Sequence, residues 1–416
     1  MPHGNKRSFI LPIVLLIPLI ALLLFAAGCG GGPNPGSASA TPGAAAPPPS
    51  SSGGGNGPST GGSGGGSSGS GSSSSSFIYV ANGSSAILGF AVNSDGSLKA
   101  APGSPFALTE PPLGMIAVQG KFLYVTTHSS LFIFRIDSDG SLTAAGSRST
   151  PNNGGGQFVL DRSQNFLYAL AVPRGAISGF RIDSSSGALT DIAGSPFPTD
   201  PNFTPPSEMA PAPIFGAVHP SGAYMWVSVA PFRGGLRVEV FDRDSNGALI
   251  ARSGSARYTA DYKVGPGFSV DPGGNFVVDA TGDTSQEPAP FPSGVLVYTN
   301  SGGNLTFISE SSAGAQPAMV TFDRSGSFVL VTNVISKNIS VYKMETSGAL
   351  TEVPGSPFGS GADPTQLAQA GSFIYSANQE SGDVSGYHLE TNGSLTPVPG
   401  SPLTVGGTPY LIVGVH

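Results

Sequence analysis

The eleven residues GALTEVPGSPF, from Gly348 to Phe358, are written three more times in this chain: GSLKAAPGSPF from Gly96, GALTDIAGSPF from Gly187 and GSLTPVPGSPL from Gly393. A catalytic motif is normally written once. A string that recurs at long, similar intervals marks a structural unit that must stack on copies of itself to bury its apolar face. Aligning on the leucine of the G-x-L segment reveals further, more diverged copies. These leucines are Leu98, Leu142, Leu189, Leu249, Leu305, Leu350 and Leu395, so the period lies between 44 and 60 residues.

The same order of segments precedes each leucine. A β-rich run such as FLYVTT (Phe122 to Thr127) is followed by a short turn, then by a run such as LFIFRID (Leu131 to Asp137), then by a Gly/Asp/Ser turn. A further apolar segment ending in a turn comes before the first run. Examples are FVLDRSQN at Phe158, FGAVHPSG at Phe215, FSVDPGGN at Phe268 and MVTFDRSG at Met319. Each unit is therefore four short strands, and helical periodicity is absent from Phe77 onward. Seven such units predict an all-β, seven-bladed β-propeller with four-stranded antiparallel blades. The first unit lacks its first strand, and a lone first strand, PYLIVGV (Pro409 to Val415), ends the chain. That strand is expected to join the first blade, closing the ring and removing open sheet edges. Face-to-face blades bury strands on both sides, which accounts for a charged fraction of only 10% against about 25% in ordinary domains. The GSPF copies are expected where the outer strand hands over to the next blade, with Phe packing between blades.

YVAN (Tyr79 to Asn82), YVTT (Tyr124 to Thr127), LVTN (Leu330 to Asn333) and YSAN (Tyr375 to Asn378), each followed by a third strand and G-x-L, resemble the YVTN and lactonase-type seven-bladed propellers. The resemblance spans Phe77 to His416. It implies a 6-phosphogluconolactonase-like or carboxymuconate-lactonizing activity, in a superfamily that also holds propellers of no assigned chemistry. Such relatives often carry Pro-His where the chain enters an inner strand. Here those approaches read PPLGM, QPAMV, DPTQL and TPYLI, without histidine.

The amino-terminal segment has another character. Lys6 and Arg7 precede an apolar stretch from Phe9 to Phe25, and AAGC (Ala26 to Cys29) follows. This reads as a secretory signal whose end resembles a lipobox, with Cys29, the sole cysteine, as the lipidated residue. Residues 1–29 are thus expected to be the signal, and 30–76, made only of Gly, Ser, Pro, Ala, Thr and Asn, a disordered tether reaching roughly 40 Å. Residues 77–416 are the propeller. The expected product is an exported lipoprotein, periplasmic or on the cell surface, held to a membrane through Cys29. Gly30 after the cysteine favours the outer membrane of a Gram-negative cell. A net charge of −7 gives no basic surface for nucleic acid.

Long loops on a rigid scaffold are where binding and catalysis concentrate. The least repetitive segments are the crossings Ala193 to Pro213 and Arg252 to Pro266 and the loop Ala280 to Gly294, all assigned to one face. They supply Glu208 and Asp261 as candidate catalytic acids or bases, with His128 from a shorter loop. Candidate ligand-binding residues are Arg174, Arg233, Tyr258, Lys263 and Glu287. His219 is assigned to a turn on the opposite face and His388 to a third strand. DRDSNG (Asp242 to Gly247) has Ser253 where an EF-hand needs glutamate, so it reads as a hairpin turn, as do DPGG at Asp271 and DRSG at Asp323. No metal or cofactor is expected. The functional expectation is a module that binds a small molecule or a protein on the loop-rich face. The alternatives are a lactone hydrolase or lactonizing isomerase, and a structural component of the cell envelope.

Overall fold

The computed structural model describes residues 76–150, 156–171, 175–199, 212–230, 237–252, 257–258, 267–281 and 294–415. Their strands form seven separate antiparallel sheets, and no described residue is helical. Blade 2 shows the plan. Gly114–Val118, Phe122–Thr126, Ser130–Ile136 and Leu142–Ser149 pair in sequence order from the ring centre outward. Blades 3 to 7 repeat it, starting at inner strands Phe158–Leu160, Ala212–Val218, Phe268–Val270, Pro317–Phe322 and Pro364–Ala370.

Blade 1 takes its inner strand from the other end of the chain. Leu411–Val415 pairs antiparallel with Ser76–Ala81, placing Val415 opposite Phe77 and Leu411 opposite Ala81. The expected closure is therefore the observed one.

The core lies between blades. One cluster joins Tyr79 and Ile87 of blade 1 to Leu123 and Val125 of blade 2. Another joins Tyr168 and Phe166 of blade 3 to Met225 and Phe241 of blade 4. A third joins Ile78 and Val80 to Tyr375 and Ala377 across the closure. Second strands read YVAN or LVTN because both their faces meet a neighbouring blade. Each such side chain contributes roughly 1.5–3 kcal/mol on burial.

The repeated G-S-P-F string has a different role from the one expected. The outer strand of blade 1 stops at Ala100, turns, passes through a cis Ser104–Pro105 bond and returns as Phe106–Ala107. That two-residue strand pairs with Ala86 and Ile87 of the same blade. The string is thus a hook onto its own blade rather than a handover to the next. Ser104 Oγ accepts a hydrogen bond from the Gly89 amide at 3.0 Å. The same bond recurs from Gly179 to Ser195, Val341 to Ser356 and Gly386 to Ser401. Gly89 leaves room for the Phe106 ring, which a Cβ there would meet at 2.8 Å. The inter-blade packing of the phenylalanine holds: Phe197 is buried in the cluster between blades 3 and 4, and Phe106 packs on the one between blades 1 and 2. Blades 2 and 5 lack the string and carry single bulged outer strands, Leu142–Ser149 and Asn304–Ser312.

Candidate functional site

One face of the ring carries the turns between second and third strands and the crossings to the next inner strand. Of the residues assigned to it from sequence, His128 is described. It is exposed, in the turn between Phe122–Thr126 and Ser130–Ile136. Its neighbour Glu110 accepts the Ser129 amide at 2.9 Å. That bond is the first cause, and the Thr127 hydroxyl the second, of a Glu110 pKa below the usual carboxylate range. This is a tied surface turn. Tyr258 was expected in a crossing loop. It sits instead in a two-residue strand, Arg257–Tyr258, that pairs with Arg237 and Val238 on the outer edge of blade 4. Glu208, Asp261, Arg174, Arg233, Lys263, Glu287 and Cys29 lie outside the described residues.

The turn readings hold. Asp244 accepts the amides of Asn246 and Ala248, and Asp271 those of Gly273 and Phe276. Asp323 accepts Phe328 N at 2.8 Å. Among the described residues no group of acids, histidines or cysteines is arranged to hold a metal ion. His219 is in the turn before Tyr224, where it stacks on that ring at 4.6 Å and lies within 3.2 Å of Gly274 O.

The asparagine that ends several second strands ties the loop-bearing face together. Asn378 is fully buried. Its Nδ2 donates to Asp383 Oδ1 at 2.6 Å and Ser385 Oγ at 2.9 Å, and its Oδ1 accepts from Ser360 Oγ at 2.9 Å and Ser376 Oγ at 3.0 Å. Asn333 repeats the donor side with Asn338 and Ser340. Asn82 donates to the carbonyls of Val405 and Gly406. These networks hold loop against strand.

Asp363 stands on this frame, and sequence reasoning missed it. It immediately precedes the inner strand Pro364–Ala370 at its loop-bearing end. Its backbone is left-handed, with φ of 59°, a conformation aspartate tolerates better than most residues. Its carbonyl accepts the Gln379 amide at 2.8 Å, and the carbonyl of Ala362 accepts that of Glu380 at 3.2 Å. The crossing is thereby pinned to the next turn. Among the described residues no donor bonds the Asp363 carboxyl. Burial, and second the nearby Glu380 carboxylate, raise its pKa above the ordinary aspartate value. Glu380 in turn lies 3.8 Å from Lys337 Nζ of the adjacent loop. Gln316 occupies the matching place before Pro317, also left-handed. A half-buried carboxyl with a raised pKa and no partner is the type of group that functional sites hold. Its signal in the sequence is the acid that opens DPTQL, at an approach that lacks histidine.

The fold defines the class: a seven-bladed β-propeller with its loops gathered on one face. The sequence matches the family described as Lactonase, 7-bladed beta-propeller, over residues 72–202 and 291–362. No curated protein sequence matches it. Among solved structures, the periplasmic gluconolactonase of Pseudomonas aeruginosa is 19% identical, with 82% of this chain and 99% of that chain covered and a TM-score of 0.65. A Bacteroides fragilis protein assigned as a 6-phosphogluconolactonase is 15% identical, with 83% and 99% covered and a TM-score of 0.66. One from Bacteroides uniformis with the same assignment is 16% identical, with 82% and 100% covered and a TM-score of 0.66. At these identities the likeness establishes the fold.

Proposed function

We propose that the chain hydrolyses a sugar-type lactone on its loop-bearing face, with the carboxyl of Asp363 handling the proton. The observation that carries this reading is the half-buried Asp363 carboxyl at the loop-bearing end of the inner strand Pro364–Ala370, bonded by no donor among the described residues, its pKa raised by burial and by Glu380. A general base works best with a pKa near the working pH, and the shift is in that direction. The carboxylate would take a proton from a water molecule as its oxygen adds to the lactone carbonyl. The ring C–O bond then breaks, and the departing ring oxygen takes the proton back, leaving a hydroxy acid. Lys337, set beside Glu380, would bring positive charge toward the oxyanion.

The match to the lactonase-type family model supports the reaction class. The periplasmic gluconolactonase among the similar structures supports an unphosphorylated lactone, which suits a chain whose first 29 residues read as an export signal. In this reading Cys29 carries the lipid and the Gly/Ser-rich segment spaces the propeller from a membrane.

Ring opening of glucono-δ-lactone, followed by acid release, tests the proposal. The parent should turn it over, and Asp363→Asn should lower kcat by roughly 100-fold or more with the fold retained. A parent that turns over no sugar lactone sinks the reading. A sugar acid that nonetheless binds would return the chain to a non-catalytic binding module, the reading favoured by channel approaches that lack histidine.

A further inference from the structure

On the opposite face, where blade 7 meets blade 1, the ring carries a groove of about 400 Å³. Its size is within the range of small-ligand sites. Phe373, Pro397, Val398 and Pro399 wall it, and Asp95, His388 and Glu390 supply its ionisable groups. No lysine or arginine lines it.

Comparison of the blades shows what is missing there. The phenylalanine that opens a second strand faces a cation across the strand pair in three blades: Phe122 opposite Arg135, Phe166 opposite Arg181, Phe328 opposite Lys343. Arg181 lies over the Phe166 ring at 4.8 Å. Arg135 pairs with Asp137 at 2.8 Å and Lys343 with Glu345 at 3.1 Å, so the hairpin acid is neutralised within its blade. Blade 1 has Ala91 opposite Phe77, and there the acid is absent too, replaced by Asn93. Blade 5 has Thr299 opposite Phe276, again with no acid two residues on, and blade 7 differs from all of these. It keeps the acid, Glu390, but places His388 opposite Phe373. Histidine is shorter than arginine. Its Nδ1 lies 3.0 Å from Glu390 Oε1, and its ring meets Phe373 edge-on at 5.4 Å. Across the seam the blade 1 hairpin adds a second carboxylate, Asp95, bonded by the Ser97 hydroxyl and amide. Two carboxylates and an aromatic wall thus remain where blades 2, 3 and 6 place a cation of their own.

We infer that this groove binds an organic cation on an alkyl arm, an arginine- or lysine-type group supplied from outside the chain. The charged end would lie between Asp95 and Glu390, where ionic and hydrogen-bonding partners coincide. The arm would lie along Phe373 and the prolines, as Arg181 does along Phe166. The source is either a free small cation or a basic side chain of another protein. This site is distinct from the loop-bearing face and does not depend on lactone hydrolysis.

The test is titration of the full chain in low-salt buffer with agmatine and, separately, with the blocked tripeptide Gly-Arg-Gly, read by calorimetry and by the His388 imidazole resonances. Saturable binding of at least one probe, with movement of those resonances, is expected. Asp95→Asn and Glu390→Gln should each weaken it about tenfold or more. His388→Arg should abolish it by filling the groove from within, with the melting temperature preserved. Binding of agmatine alone points to a free cation, and binding of both probes to a protein side chain. Absence of saturable binding by either probe, or binding unchanged in all three folded variants, overturns the inference.

Discussion

Tyr375 donates its hydroxyl hydrogen to the carbonyl oxygen of Gly96 at 2.6 Å, although 279 residues separate them. The bond crosses the closure from blade 7 to blade 1, and it is one of a series. Tyr79 reaches Gly140, Tyr124 reaches Gly187, Tyr168 reaches Gly247, and the Trp226 indole reaches Gly303. Each aromatic side chain ties the second strand of one blade to the outer hairpin of the next. The tyrosine of YVTN and the glycine of G-x-L are therefore two ends of one contact.

Removing either end should weaken the ring by different amounts. Tyr375→Phe keeps the buried ring and leaves the Gly96 carbonyl without its donor, a loss of roughly 1–3 kcal/mol. Gly96→Ala should be worse. Its φ is 83°, and a Cβ would meet the Phe373 ring at 2.5 Å, so backbone strain and overpacking add to about 3 kcal/mol or more. Urea unfolding of the two variants checks the order. Equal midpoints would show that the glycine is dispensable.

Closure makes the last strand a condition of stability. Truncation before Tyr410 removes the ladder to Ser76–Ala81 and the buried side chains of Leu411, Ile412 and Val415. At roughly 1.5–3 kcal/mol per side chain, the loss approaches the whole stability of a typical domain, about 5–15 kcal/mol. The truncated chain should be insoluble or should melt far lower. A thermal unfolding curve that overlays the parent's would contradict the ring.

The charge pairs of the ring differ sharply in worth. Arg243 and Asp161 are 3.4 Å apart and 7% and 4% exposed. Arg243 also donates to the Tyr168 hydroxyl and the Gly222 carbonyl, and its guanidinium lies over Phe166. Arg243→Met leaves Asp161 buried without its cation and should lose about 3–5 kcal/mol. Arg135→Met breaks a pair whose arginine is 58% exposed and should lose at most about 1 kcal/mol. Chemical denaturation of both variants decides it, with comparable losses counting against the buried pair.

What the sequence made legible followed from repetition. Repeat spacing gave blade number, strand order and closure, because stacked sheets force every copy of Phe, Tyr and Gly into the same contacts. The hook formed by GSPF was less legible. Its meaning depends on Ser104 Oγ reaching the Gly89 amide fifteen positions back, a contact that no local propensity encodes. The candidate site was least legible, since a site is a departure from the repeat. Reading for long, charged loops led to residues outside the described structure and to His128, which is exposed. Asp363 sits in a short crossing of ordinary length. Only its burial, its missing donor and its neighbour Glu380 set it apart, and these are properties of the folded ring.

Asp363 also provides a pH test that needs no substrate. Burial and Glu380 raise its pKa in the folded protein, so the folded state holds that proton more tightly than the unfolded chain, whose aspartates titrate near about 3.9. Above the folded pKa the ionised carboxylate opposes folding in full. As pH falls through the folded value toward the unfolded one, that penalty disappears. Asp363→Asn removes the penalty at every pH. The variant should therefore melt higher than the parent at neutral pH, and the gap should close as the pH approaches about 4. Melting temperatures of the two proteins across that window measure it. A variant that melts lower than the parent at neutral pH would mean the carboxylate is satisfied in the fold, and its candidacy as a proton-handling group would fall with it.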